Sequence, residues 1–236
     1  DEVDHTFWKK FRTTCDAAKD DFYILGEVWH SAQPWLVGDE FSAVMNYAYT
    51  DAIKDGLITK KISLEQMVSN INTQLTLYRK QVNQMMFNVL DSHDTPRILN
   101  VAKNNKNLMK LVETFTFMQP GVPCIYYGDE YAVTGGMDPE CRKVMPWEEK
   151  DQDLEMFEFF KNLIALRKQY QGILSDSEVE WKIVDSENGI VKFERGSLKA
   201  IFNIGEKPAY FSADEVVFSN LVDQNNILQY GFVIYK

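Results

Sequence analysis

The chain has 236 residues, of which 45% are hydrophobic and 13% aromatic, enough to bury a sizeable core, so its composition excludes a disordered protein and predicts one or two folded domains. A formal charge of −10, from 25 Lys and Arg against 35 Asp and Glu, would repel phosphate backbones and anionic lipid, which excludes nucleic acid and membrane surfaces as partners and favours a neutral one. The longest apolar stretches, such as VPCIYY, fall far short of the roughly 20 residues that span a bilayer.

Apolar residues at helical spacing from Thr6 to Lys19 (Phe7, Phe11, Cys15, Ala18) predict a helix, and FYILGEV from Phe22 to Val28 predicts a buried strand. The alternation continues. FSAVMNY (Phe41 to Tyr47) is strand-like, Leu64 to Lys80 helical, MMFNVL (Met85 to Leu90) strand-like and Leu108 to Met118 helical. VPCIYY (Val122 to Tyr127) adds a fourth strand, and Leu154 to Tyr170 a long amphipathic helix. Continuous apolar strands alternating with helices predict parallel βαβ units, an α/β fold whose strands are covered on both faces. Polar residues gather where each strand ends: Glu27, then Asn46, then His93 and Asp94, then Asp129 and Glu130. In a (β/α)₈ barrel the active site is built at those C-terminal ends. Four strands make half a barrel.

Beyond Tyr170 the texture changes. VEWKIVD, GIVKFER, LKAIFNI and YGFVIYK are rich in β-branched and aromatic residues and are separated by the turn signals SENG, RGS and IGEKP. These predict antiparallel hairpins. The expected division is an α/β unit over residues 1–171 and a small, sandwich-like all-β domain over 172–236. Cys15, Cys124 and Cys141 are odd in number and lack CxxC spacing, which predicts neither a disulfide framework nor a zinc site and points to a reducing compartment such as the cytoplasm. The first residue is Asp1 rather than Met, so a segment is expected to precede it.

Two carboxyls stand out. Glu27, in ILGEVWH, sits beside Trp29 and His30, surroundings that would raise its pKa and suit it to protonate a departing oxygen and later deprotonate water. A lone strand-end Glu is more often simply solvated. In NVLDSHDTPR, Asp91, His93, Asp94 and Arg97 crowd into seven residues, which predicts mutual tuning in a cleft, with a structural ion-pair network as the alternative.

ILGEVWH, VLDSHDTPR and GVPCIYYGDE, in that order on successive strands, resemble three signature regions of the α-amylase family of glycoside hydrolases. The opening DEVDH resembles the tail of a fourth, and MNYAYTDAI and GGMDPECRKVMPW are similar to segments of its neopullulanase, cyclomaltodextrinase and maltogenic amylase group. The resemblance covers essentially the whole chain and implies the second half of a TIM barrel, strands five to eight, followed by the β domain. It implies Glu27 as general acid/base and Asp94 as the carboxylate that stabilises the transition state through sugar hydroxyls, with His93 on the same sugar. Asp138 and Arg142 match contacts to glucose units on the non-reducing side, and Trp29 and Glu2 match positions near the leaving-group sites. Asn46 and Tyr47 match the end of the sixth strand, where sugar contact and strand-end packing are equally open. The nucleophilic Asp would lie three residues before Asp1, so the chain alone is expected to be inactive. No cofactor is expected here, because the family's calcium ligands lie mainly in the preceding half. The implied partner is an α-glucan oligosaccharide. The open sheet edges imply a complementary half-barrel segment or chain, or a second copy. A noncatalytic sugar-binding or scaffold relative is the competing reading.

Overall fold

The computed structural model describes residues 1–236. Helix α1 (His5–Ala18) starts where the Asp4 carboxylate accepts the Thr6 amide, an N-cap that satisfies one of the orphan donors of a first turn. Strand β1 (Leu25–Gly26) then pairs in parallel with β2 (Ala43–Val44). Met45 bridges in parallel to Phe87, at the start of β3 (Phe87–Val89), and β3 pairs in parallel with β4 (Val122–Cys124). The four strands therefore follow one another in chain order, all parallel, as half of a (β/α)₈ barrel. They are shorter than their apolar runs because backbone pairing covers only part of each, and in VPCIYY only the first three residues.

Between the strands lie α2 (Tyr47–Leu57), α3 (Leu64–Leu77), α4 (Lys80–Met85), α5 (Ile98–Val101) and α6 (Lys106–Phe117); α7 (Leu154–Gln169) and α8 (Gln171–Asp176) follow β4. Side-chain caps mark three of these starts: Ser63 on α3, Asn105 on α6 and Asp153 on α7. The predicted helices are present within a few residues of their expected ends. Helix α2 has no counterpart among the predicted elements: its first residue, Tyr47, falls in the run FSAVMNY that is expected as a strand, although Tyr49, Ala52, Ile53 and Leu57 are buried and Ala48 and Asp51 exposed at helical spacing. No helix is long and apolar enough to cross a membrane.

The remaining strands are β5 (Glu180–Asp185), β6 (Ile190–Arg195), β7 (Leu198–Asn203), β8 (Ala209–Tyr210), β9 (Val216–Asp223) and β10 (Asn226–Tyr235). They form one antiparallel sheet in which β10 pairs with β7, β8 and β9. The sheet begins at Glu180, so residues 172–176, expected in the all-β part, belong to the helix Gln171–Asp176. One sheet face, with Phe193, Phe202 and Phe232, shares a continuous core with Phe115 of α6 and Phe160 and Leu163 of α7; the other face carries a smaller core around Phe211, Ile227 and Val233. Two largely buried arginines brace this region: Arg195 of β6 donates to Met118 O at 2.6 Å across the two units, and Arg167 donates to Gly121 O at 2.6 Å within the α/β unit. Burial lowers both guanidinium pKa values to about 10.

Candidate functional site

The C-terminal ends of β1, β2 and β3 converge on one rim. Glu27 directly follows β1, Tyr47 lies just past β2, and His93 and Asp94 sit on the turn after β3. One side-chain donor atom from each of Glu27, His93 and Asp94 lies within 4.8 Å of the others. Asp94 is held from two sides, by His93 Nε2 at 3.3 Å and by an Arg142 terminal nitrogen at 2.9 Å. Arg142 Nε also donates to the His93 carbonyl at 2.8 Å and pairs with Asp138 at 3.0 Å. These partners are half-exposed and screened by solvent, so the pairs add little to stability. Their consequence is orientation: they present one Asp94 oxygen and the His93 ring to whatever enters the rim.

The Tyr47 hydroxyl lies 3.2 Å from Glu27 Oε1 and 3.2 Å from Ser92 Oγ, and burial raises its pKa above the usual phenol value. At neutral pH it is therefore a donor that can hold the Glu27 carboxyl in place. Trp29 is half-exposed and stacks on the Tyr47 ring, leaving its outer face available as an apolar platform beside Glu27. Glu2 is exposed ahead of α1 with no side-chain hydrogen bond, while its neighbour Asp1 accepts from His30 Nε2 at 2.7 Å. Asn46 is turned inward, its amide donating to Asn88 at 2.8 Å, so it packs between strands instead of facing the rim. Tyr47 does face it.

The crowd in NVLDSHDTPR divides, contrary to the expectation of one shared cleft. His93 and Asp94 point outward, whereas Asp91 accepts the Ile98 amide at 2.7 Å beneath the rim and Arg97 is completely enclosed. Asp129, expected at the rim, is buried against Arg97 at 3.3 Å, and Glu130 folds back to accept the Gly128 amide at 2.7 Å. The backbone turn causes this: Gly128 is left-handed (φ 91°), and a side chain there would meet Val133 at 3.0 Å. Asp91 and Asp129 are enclosed beside the Arg97 guanidinium, and the enclosed Glu113 of α6 lies near both carboxyls. Burial is the first cause of their raised pKa values, and their mutual repulsion the next for Glu113 and Asp129. Sequence reading missed Ser92, Glu113 and Cys141 as neighbours of the site. Only the charge of Glu113 within an otherwise apolar helix face signalled anything.

Glu27, His93 and Asp94 offer one nitrogen and two carboxylates, a set that does not fit the six or more oxygens calcium ordinarily takes. What the rim can do is carry out proton transfer from one carboxyl while a second, fixed carboxylate and an imidazole grip a hydroxylated ligand.

The family description "Alpha amylase, catalytic domain" matches residues 2–152. The chain is 43% identical over 229 residues to an intracellular maltogenic amylase of Bacillus subtilis, covering 95% of this chain and 38% of that protein. It is 47% identical over 186 residues to a cyclomaltodextrinase of Geobacillus thermopakistaniensis, covering 79% and 32%. Among solved structures, a cyclomaltodextrinase superposes with TM-score 0.87 at 32% identity, covering all of this chain and 44% of that one. A cyclic α-maltosyl-(1→6)-maltose hydrolase from Arthrobacter globiformis in complex with maltose superposes with TM-score 0.86 at 26% identity, covering 98% and 53%. The chain thus spans less than half the length of the curated relatives it matches.

Proposed function

Because the chain belongs to the α-amylase family, we propose that it is the acid/base-bearing portion of a retaining glycosidase that cleaves α-1,4-glucosidic bonds in maltooligosaccharides, cyclodextrins or pullulan. The observation that carries this reading is the convergence of Glu27, His93 and Asp94 within 4.8 Å at the ends of neighbouring parallel strands. The names of relatives support the substrate class: cyclomaltodextrinase, maltogenic amylase, and a neopullulanase of Thermoactinomyces vulgaris at 38% identity over 194 residues.

In this reading Glu27, steadied by Tyr47, protonates the glycosidic oxygen as the bond breaks. A carboxylate from the chain ahead of Asp1 attacks the anomeric carbon, roughly 5 to 5.5 Å from the acid as double displacement requires. Asp94 and His93, braced by Arg142, hold sugar hydroxyls through bonds that strengthen as positive charge develops on the ring. Glu27 then deprotonates water, or a second sugar stacked on Trp29, which completes hydrolysis or transglycosylation. Carboxylates suffice for this chemistry, so no cofactor enters the proposal. Three unpaired thiols, and a relative named intracellular, support a cytoplasmic setting.

The test compares this chain alone with the longer protein that includes the upstream segment. On maltotriose the longer protein should release glucose and maltose with retained configuration, Glu27→Gln should abolish release, and the chain alone should do nothing. Release by the chain alone, above a Glu27→Gln control, would place the nucleophile within residues 1–236. Binding of maltotriose by the longer protein without any turnover would instead support the noncatalytic sugar-binding role.

A further inference from the structure

We propose that Arg97 is a positioning residue that clamps the 135–142 loop and thereby aims Asp138 and Arg142 at the sugar; this rests on the glycosidase reading above. The side chain is fully enclosed, yet its bonds do not end in the core. The Arg97 backbone amide donates to Gly135 O at 3.0 Å, and its Nε donates to Cys141 O at 2.8 Å. One residue therefore holds both ends of the loop that carries Asp138 and leads into Arg142. A terminal nitrogen donates to Tyr127 O and pairs with Asp129 at 3.3 Å, which ties the same clamp to the turn after β4. The guanidinium lies over Tyr126, 4.0 Å from the ring centroid.

The loop is shaped to need such a clamp. A side chain at Gly135 would come within 2.1 Å of Glu140 O, so the chain doubles back on itself there without room for a Cβ. Within the loop Glu140 accepts the Gly136 amide at 3.1 Å, and at its far end the Cys141 thiol and Arg142 Nε both donate to the His93 carbonyl, at 3.1 and 2.8 Å. Arg142, next to the clamped Cys141 carbonyl, is the group that fixes Asp94 and the His93 carbonyl. A shift of the Cys141 carbonyl thus moves the sugar-facing pair directly. Lysine cannot substitute, because a single ammonium lacks the planar fork that reaches two carbonyls and a carboxylate at fixed angles.

The experiment uses the longer protein that includes this chain and its upstream segment, with four variants: Arg97→Lys, Arg142→Ala, the double variant, and Arg97→Met with Asp129→Leu, which removes the buried charge pair together. On maltotriose Arg97→Lys should lower kcat/KM at least tenfold, mostly through KM, but by less than twofold in the Arg142→Ala background. Limited trypsin digestion should cut after Arg142 and Lys143 at least tenfold faster in both Arg97 variants than in the parent. A residue that merely supports folding would lower kcat by the same factor in both backgrounds and leave KM unchanged. That result, or unchanged cleavage after Arg142 and Lys143 in a folded Arg97 variant, overturns the proposal. If Arg97→Lys does not fold, the charge-balanced variant supplies the cleavage readout. If the parent protein has no activity on maltotriose, the glycosidase reading fails, and the cleavage result still decides whether Arg97 clamps the loop.

Discussion

The indole of Trp29 lies flat on the phenol ring of Tyr47, with centroids 3.8 Å apart and planes 5° from parallel. The same Tyr47 places its hydroxyl 3.2 Å from Glu27, so one side chain supports both the aromatic platform and the proposed acid. These two roles separate by substitution. In the longer protein Tyr47→Phe keeps the stack and loses the hydrogen bond, which is ordinarily worth about 1 kcal/mol, so kcat/KM on maltotriose should fall about fivefold. Tyr47→Ala also removes the support under Trp29, a further loss of about 0.5 to 1.5 kcal/mol. Equal kinetics for the two variants would show that the stack does not position Trp29 for the sugar.

The enclosed carboxyl of Glu113 makes stability depend on pH. Burial first, and the nearby Asp91 second, push its pKa well above the ordinary value, so the folded chain keeps a proton that the unfolded chain releases near pH 4.3. Its favourable contribution is complete below the unfolded value and is lost as pH rises toward the folded one. Urea midpoints should therefore fall between pH 5 and pH 8 in the parent. Glu113→Gln should flatten that fall and raise the midpoint at pH 8. A variant no more stable than the parent at pH 8 would mean that the carboxyl is solvated.

Phe115 lies where the half-barrel meets the antiparallel sheet, with ring centroids 5.4 Å from Phe193 and 5.2 Å from Phe202. Phe115→Ala should cost about 3 to 5 kcal/mol, the usual range for emptying a large buried aromatic site. Since one core runs through both units, the parent should unfold in a single transition seen identically by far-ultraviolet circular dichroism and by tryptophan fluorescence. Two separated transitions in the parent would contradict a shared core.

The outer edges of β1 and β4 have no neighbouring strand, and Phe22, Tyr23, Leu25 and Val122 expose apolar surface along them. Unpaired backbone beside apolar side chains recruits other chains. Sedimentation of this chain by itself should show a mass that rises with concentration, and Leu25→Lys should reduce that rise. A monomer at every concentration would argue that the edges are protected in some other way.

Much of this could be read from residue order. The apolar runs FYILGEV, FSAVMNY, MMFNVL and VPCIYY mark parallel strands, and of the polar residues that end them, Glu27, His93 and Asp94 meet at the rim, whereas Asn46 and Asp129 turn inward and Glu130 folds back. Helix α2, YAYTDAIKDGL, is the exception: its short apolar stripe follows directly on the strand-like run FSAVMNY, which takes in its first residue, so only the fold separates strand from helix at Tyr47. The eight-residue strand β9 was hidden for another reason, since VVFSNLVD mixes polar and apolar residues along an edge where neither face is fully buried.

The sequence by itself determined which chemistry is available: a strand-end glutamate beside tryptophan, and a histidine and aspartate on the turn after the third strand. Tertiary structure alone decided the direction of each charge. Asp91 and Asp94 are three residues apart, yet one is sealed beneath the rim with Arg97 while the other is gripped at the surface by Arg142. The physical reason is that a side chain on an irregular turn takes its direction from the chain segments packed against it. Here those segments are the Gly128 turn and the doubled-back loop at Gly135, which lie some thirty to forty residues farther along the chain.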